Sequence, residues 1–151
     1  MKTKIEEVVG IDLGNTIIKH RKPLPDAFRV IRRLIDERFG ERLHIVSRVD
    51  EQQEIRARAF VTGHEFQSAL GIPLTRVHFC RERHEKGPIC ERLRITHFID
   101  DRPEVMVYMP TSVIRKVLFD PDQADLDTCA SLLGDFNIAR SWLDVERLLL
   151  L

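Results

Sequence analysis

The residues of this sequence best suited to chemistry sit where apolar runs stop. Asp12 follows "VVGI" and leads into Leu13-Gly14-Asn15-Thr16; Ser47 closes "LHIV"; Asp100 closes "THFI", with Asp101 directly after it. Lys86 opens a short helical stretch. A carboxylate nucleophile, a hydroxyl, an ammonium and a pair of acids are the parts of a phosphate-handling site, provided that the fold gathers them. Each also has an ordinary reading. Asp12 can cap a turn through Thr16, Ser47 can be a turn residue, and Lys86 can be a solvated surface lysine. The two adjacent acids are less ordinary. They repel one another at a strand end, and a cation or Arg102 would relieve that repulsion.

Gathering these residues requires an alternation of strands and helices. Strands are expected at 5–11, 43–47, 75–79, 96–100, 113–119 and 137–141. Helices are expected at 25–39, 50–70, 86–93 and from about Leu143 onward. In the first of these, Pro25 suits the first turn, Asp26 suits the positive end of the dipole, and Gly40 ends the helix. Phe28, Ile31, Leu34, Ile35 and Phe39 fall on one face and are expected in the core. The alternation predicts an α/β fold: a three-layer, Rossmann-like parallel sheet with helices on both faces. In such sheets ligands bind beyond the carboxyl ends of the strands, where strand order reverses. Asp12, Ser47, Asp100 and Asp101 would share that rim, with Lys86 beside them. The terminal "VERLLLL" is apolar enough for core or for a partner-facing helix.

The chain of 151 residues is long enough to bury one core, and no repeat or linker divides it, so a single domain is expected. Lys plus Arg equals Asp plus Glu, at 24 each. Neutrality removes the global argument for nucleic-acid or membrane binding, yet it leaves room for a local basic patch. Cys80, Cys90 and Cys129 are odd in number and show no C-x-x-C spacing. Neither a disulfide framework nor a structural zinc site is expected, and Cys80 reads as a small buried residue. No basic-then-apolar leader opens the chain, and no apolar run approaches the ~20 residues that span a bilayer. A cytoplasmic protein is the expectation.

The set of motifs resembles the haloacid dehalogenase-like (HAD) superfamily over most of the chain. Asp12-Leu13-Gly14-Asn15-Thr16 matches a variant of its D-x-D-G-T motif, and Ser47 its strand-closing Ser or Thr. Lys86 matches its helix-opening Lys, and "THFIDDRPEV" its acidic fourth motif; "ARSWLDVERLL" looks like the late strand and final helix. The resemblance implies a phosphohydrolase in which Asp12 is the nucleophile and forms an aspartyl-phosphate. It implies Mg²⁺ held by Asp12, the Gly14 carbonyl and Asp101, with Asp100 close by. Ser47 and Lys86 would hold the phosphoryl oxygens.

The sequence departs from that pattern in ways that matter. Phosphatases of the family carry a second Asp, the general acid, where this chain has Gly14. A general acid is worth roughly 10²–10⁴-fold in rate, about 3–5 kcal/mol of barrier. Val105 stands where many relatives carry Asn. Asn15 in place of the usual Gly is milder, because Asn tolerates left-handed backbone. The intervals Asp12–Ser47 and Ser47–Lys86 are too short for a cap domain. An open site favours a large phosphorylated substrate, such as a phosphoprotein or a nucleic-acid end, or a partner chain that completes it. Two function classes follow: a slow, capless phosphohydrolase, or a non-catalytic module that keeps the phosphate-and-metal site or binds a protein partner.

Overall fold

Buried apolar strands and the turns that end them set the order of elements. In the computed structural model, which describes residues 5–132 and 135–151 apart from the side chains at 129 and 132, β1 (Val9–Ile11) is fully buried and runs into the Asp12 loop. A small hairpin follows, β2 (Ile18–Lys19) and β3 (Lys22–Pro23). Its turn residues His20 and Arg21 have φ of 52° and 64°, the consecutive left-handed geometry that matches strand twist in tight hairpins. α1 (Ala27–Leu34) continues into a π-helical turn, Ile35–Phe39, which Gly40 ends at φ 58°.

β4 (Leu43–Arg48) leads to α2 (Glu51–Thr62) and α3 (His64–Leu70), and a 3₁₀ turn, Leu74–Arg76, precedes β5 (Val77–Cys80). Next come α4 (Lys86–Leu93), β6 (His97–Asp100), α5 (Pro103–Met106) and β7 (Arg115–Phe119). α6 (Gln123–Leu132), β8 (Asn137–Ala139) and α7 (Trp142–Leu150) complete the chain.

The six longer-range strands pair in the order β5-β4-β1-β6-β7-β8, every pair parallel. This is the doubly wound order whose direction reverses between β1 and β6. Alternate residues along each strand serve different cores. Ile11, Ile45, Ile99 and Val117 join one cluster with residues of α1, α2, α3 and α7. Val46, Phe98 and Leu118 join the other with residues of α4 and α5. Both faces are therefore covered, as parallel sheets require, and the expected three-layer fold is what the chain forms.

Several boundaries differ from the sequence expectation for local reasons. The first strand begins at Val9 rather than 5, because Ile5 stands 69 % exposed ahead of the sheet. Pro25 precedes the first helix instead of opening it. Asp26 occupies the N-cap position at φ 64°, makes no cap bond, and pairs with Arg29 at 3.2 Å. The expected helix at 50–70 breaks at Gly63, whose backbone is extended. The Leu74–Arg76 turn delays the third long strand to Val77, and the fifth begins at Arg115 because Ile114 is 67 % exposed. The last long strand ends at Ala139 rather than 141. The terminal apolar run is largely core: Val145 and Leu149 are buried, and Arg29 and Arg33 of α1 both bond Glu146 at 2.7 Å.

Candidate functional site

Strand register brings the candidate residues to one level. Ile11 of β1 lies opposite Ile45 of β4 and Ile99 of β6, so the residues just beyond them, Asp12, Ser47 and Asp100, emerge together at the carboxyl edge. The Asp12 backbone N–H donates to Ile99 O at 2.9 Å, tying the first strand end to the fourth. The loop then folds tightly: Ile17 N–H donates to Leu13 O (2.9 Å), Asn15 N–H to Ile18 O (2.7 Å), and Asn15 takes φ 61°. The buried Trp142 Nε1–H donates to Thr16 O at 2.7 Å, so the final helix pins this loop from below.

Lys86 is buried and bridges two acids. Its Nζ donates to Asp12 Oδ1 at 2.9 Å and to Asp100 Oδ2 at 2.7 Å. Thr16 Oγ1 donates to Asp12 Oδ2 (3.1 Å), and the Arg102 N–H donates to Asp100 Oδ1 (2.9 Å). Asp101, only partly buried, forms no ion pair among the described residues. One oxygen from each of Asp12, Asp100 and Asp101 lies within 4.8 Å of the others. Gly87 helps seat the lysine: a Cβ there would lie 2.3 Å from Tyr108 O, so the first turn of α4 reaches this position only with glycine.

The electrostatics follow from this crowding. Burial raises the Asp101 carboxyl far above the carboxylate range, and Asp12 and Asp100 add to the shift. Asp100 is raised in the same way, by burial and Asp12, with Lys86 opposing. Burial alone would lower the Lys86 ammonium, but Asp12 and Asp100 override it and hold it above its ordinary value. Three acids are thus crowded together, and Lys86 pairs with only two of them. The donor set is all carboxylate oxygen, close-set and partly desolvated, and it suits a hard divalent cation such as Mg²⁺. Ser47 is buried as a residue, but its hydroxyl opens onto the same space and has no hydrogen-bond partner among the described residues.

All six candidate residues, Asp12, Gly14, Ser47, Lys86, Asp100 and Asp101, line one cleft of about 1070 Å³. The β2–β3 hairpin and the Gln53–Phe60 stretch of α2 also line it. Nothing in the sequence signals the hairpin, so Lys19 and Arg21 enter the cleft without an expected role. Nor does the sequence signal the Trp142 bond, which depends on a partner 126 residues away. Val105 is fully buried in the second core cluster. Burial pushes the Cys80 thiol up to about 11 and Cys90 up to about 12, consistent with inert core cysteines. The side chain of Cys129 lies outside the described residues. Among the described residues no helix is long and apolar enough to cross a membrane.

Comparison with known proteins adds the fold relationship. No protein-family model and no curated protein matches the sequence. The fold matches D,D-heptose 1,7-bisphosphate phosphatase from B. bronchiseptica, whose crystal contains magnesium and phosphate. The TM-score is 0.70 at 11 % identity, over 95 % of this chain and 98 % of that one. The corresponding enzyme from Burkholderia thailandensis gives a TM-score of 0.60 at 15 % identity, over 94 % and 98 % of the two chains. A de novo designed Rossmann 3x3 protein gives 0.50 at 12 % identity, over 92 % of this chain and 90 % of the design. At these identities the likeness is one of fold.

Proposed function

We propose that this chain is a phosphohydrolase of the HAD type, dependent on Mg²⁺ and acting through an aspartyl-phosphate on Asp12. The observation that carries the reading is the cleft floor: three crowded acids, two of them paired to one buried lysine, beside a serine hydroxyl that opens onto the cleft with no partner among the described residues. Two proteins of like fold are phosphatases, one of them crystallised with magnesium and phosphate.

In this reading an Asp12 oxygen attacks phosphorus while the P–O bond to the leaving group breaks, and water later hydrolyses the acyl phosphate. Thr16 holds the second Asp12 oxygen and so fixes the carboxylate plane. Ser47 donates its free hydroxyl to a phosphoryl oxygen, and Lys86 orients Asp12 through its hydrogen bond to Oδ1. Asp12, Asp101 and the Gly14 carbonyl would hold Mg²⁺. Asp101 is the better acid for this than Asp100, because it is partly exposed to the cleft whereas Asp100 is fully buried. The ion, when bound, supplies charge neutralisation and Lewis acidity at the phosphoryl oxygens. The chain forms one domain without a cap in this reading: a hairpin and α1 occupy Asp12–Ser47, and α2, α3 and β5 occupy Ser47–Lys86.

Gly14 favours a second reading, a binding module that keeps the phosphate-and-metal site without turnover. Ester chemistry separates the two. Without a general acid the leaving group departs as an anion, so aryl and acyl phosphates should turn over and alkyl phosphates should barely do so. Asp12→Asn should remove all turnover. A Cβ on Gly14 meets nothing within 4 Å, and its φ is not positive, so Gly14→Asp is sterically free. That variant should accelerate alkyl phosphate hydrolysis by roughly tens- to thousands-fold. Equal rates on both esters in the parent would mean that His20, which lines the cleft, donates the proton. No turnover of either ester by parent or variant would leave the module.

A further inference from the structure

The walls of the cleft carry a charge pattern that the floor does not explain. Lys19 and Arg21 on the hairpin, and Arg48 and Arg56 at β4 and α2, are exposed, line the cleft, and have neither ion pair nor hydrogen bond among the described residues. Lys22, Arg92, Arg94 and Lys116 are likewise without an ion pair among the described residues, but none of them lines the cleft. Arg29, Arg32, Arg33, Arg38, Arg58 and Arg81 all sit in ion pairs. Arg83 and Arg102, which also border the cleft, share Glu104 at 2.9 and 2.6 Å. Four exposed cations thus stand unpaired along one cleft, two on the hairpin and two at β4 and α2.

A single phosphoryl group cannot use them all. The proposed floor already answers its charge with a divalent cation, Lys86 and Ser47. The wall cations are exposed whereas Asp12, Ser47, Lys86 and Asp100 are buried, so they are available to the rest of a substrate. We infer that the cleft takes a small phosphomonoester bearing a second phosphate group, clamped between Arg21 of the hairpin and Arg56 of α2. This inference rests on the phosphohydrolase reading of the floor. Guanidinium groups suit it because they bind phosphate oxygens in a bidentate fork. A nucleic-acid end fits less well. A phosphodiester chain leaving the cleft needs a continuing basic track and stacking faces. The arginines just beyond, Arg58 and Arg81, are paired with Glu54, and Phe60 is the one aromatic residue lining the cleft among the described residues.

The test is calorimetric titration at low salt with millimolar Mg²⁺. The probes are inorganic phosphate, α,ω-alkanediol bisphosphates of two to six carbons, matched alkyl monophosphates, and 5′-phosphorylated oligodeoxynucleotides of two lengths. At least one bisphosphate should bind about tenfold or more tighter than its monophosphate. The Arg21→Gln/Arg56→Gln double variant, altered only at exposed sites, should erase that advantage and leave inorganic phosphate binding unchanged. Inorganic phosphate binding without any bisphosphate advantage, or an advantage that survives the double variant, overturns the inference and spares the floor. Bisphosphate binding that needs both arginines but no Mg²⁺, with inorganic phosphate silent, upholds the clamp and sinks the floor reading. Oligonucleotide affinity that exceeds the bisphosphates and grows with length overturns the small-molecule assignment.

Discussion

The two ends of the central strands bury polar groups in opposite ways. At the amino end, Thr96 Oγ1 accepts from Val8 N–H (2.8 Å) and donates to Val8 O (3.0 Å). His97 Nδ1 lies 2.8 Å from Thr96 Oγ1, and its Nε2 lies 3.3 Å from Arg38 Nη2, which also pairs with Glu7. Arg38 can only donate, so Nε2 accepts and Nδ1–H donates; the ring is neutral and both of its nitrogens are satisfied. At the carboxyl end, three acids are crowded together, two of them paired to one lysine, and a serine hydroxyl has no partner among the described residues. The amino end is closed by the protein's own groups. The carboxyl end leaves its acids crowded and a hydroxyl unmet, the pattern that the proposed phosphate-and-metal site would account for.

Breaking the lysine bridge should have the largest effect on folding. Lys86→Met leaves Asp12 and the fully buried Asp100 without their cation, and breaking a buried pair costs ~3–5 kcal/mol. Urea unfolding checks it. A loss below about 1 kcal/mol would mean that the acids are already protonated or solvated and that the crowding is illusory.

Supplying the missing cation should have the next largest. Mg²⁺ at ~100 times its dissociation constant stabilises by ~2.7 kcal/mol, a melting-temperature rise of roughly 5–10 °C in a domain of this size. Asp101→Asn should remove most of that rise, and chelation should reverse it. Changes at His97 should leave it intact. A melting curve that Mg²⁺ does not move contradicts the metal reading.

The smallest effect, and the one that separates the two ends most cleanly, is the pH dependence. Burial, then Arg38, lowers His97 to about 4, and burial, then His78, lowers His44 to about 4. The unfolded chain takes these protons near pH 6.5, so stability should fall as pH drops from about 6.5 toward 4. The raised carboxyls at the other end act with the opposite sign. Without metal, the folded state keeps protons that the unfolded chain gives up, so stability should fall as pH rises above the ordinary carboxylate range. Mg²⁺ should therefore help more at pH 8 than at pH 5, while His97→Gln should flatten only the acid limb. A Mg²⁺ increment independent of pH would contradict the coupled acids.

The carboxyl end was legible in the sequence because each of its residues terminates an apolar run or opens a helix, and parallel strands bring such ends to one level. Asn15 was legible too, since its left-handed φ is one that Asn accepts. The hairpin was not. Its turn is His20-Arg21, without the Gly or Asn that advertises consecutive positive φ. Helices α5 and α6 were left unassigned, the first being only four residues long. The split between α2 and α3 hung on one glycine with extended backbone. The wall cations were invisible for a different reason: whether an arginine is paired depends on tertiary neighbours, and a neutral composition averages the difference away. Thr16 and Trp142 divide along the same line, one bond being four residues long in sequence and the other 126.

The most direct test of the central claim is exposure of the protein to Mg²⁺ and beryllium fluoride, followed by a crystal structure of the complex. A phosphohydrolase acting through Asp12 should carry a beryllofluoride group on an Asp12 oxygen, with the Ser47 hydroxyl donating to one of its fluorides and Asp101 on the metal. Asp12→Asn should carry none. A well-ordered cleft with Asp12 bare, in protein that demonstrably binds Mg²⁺, would contradict the nucleophile and leave a site that binds without reacting.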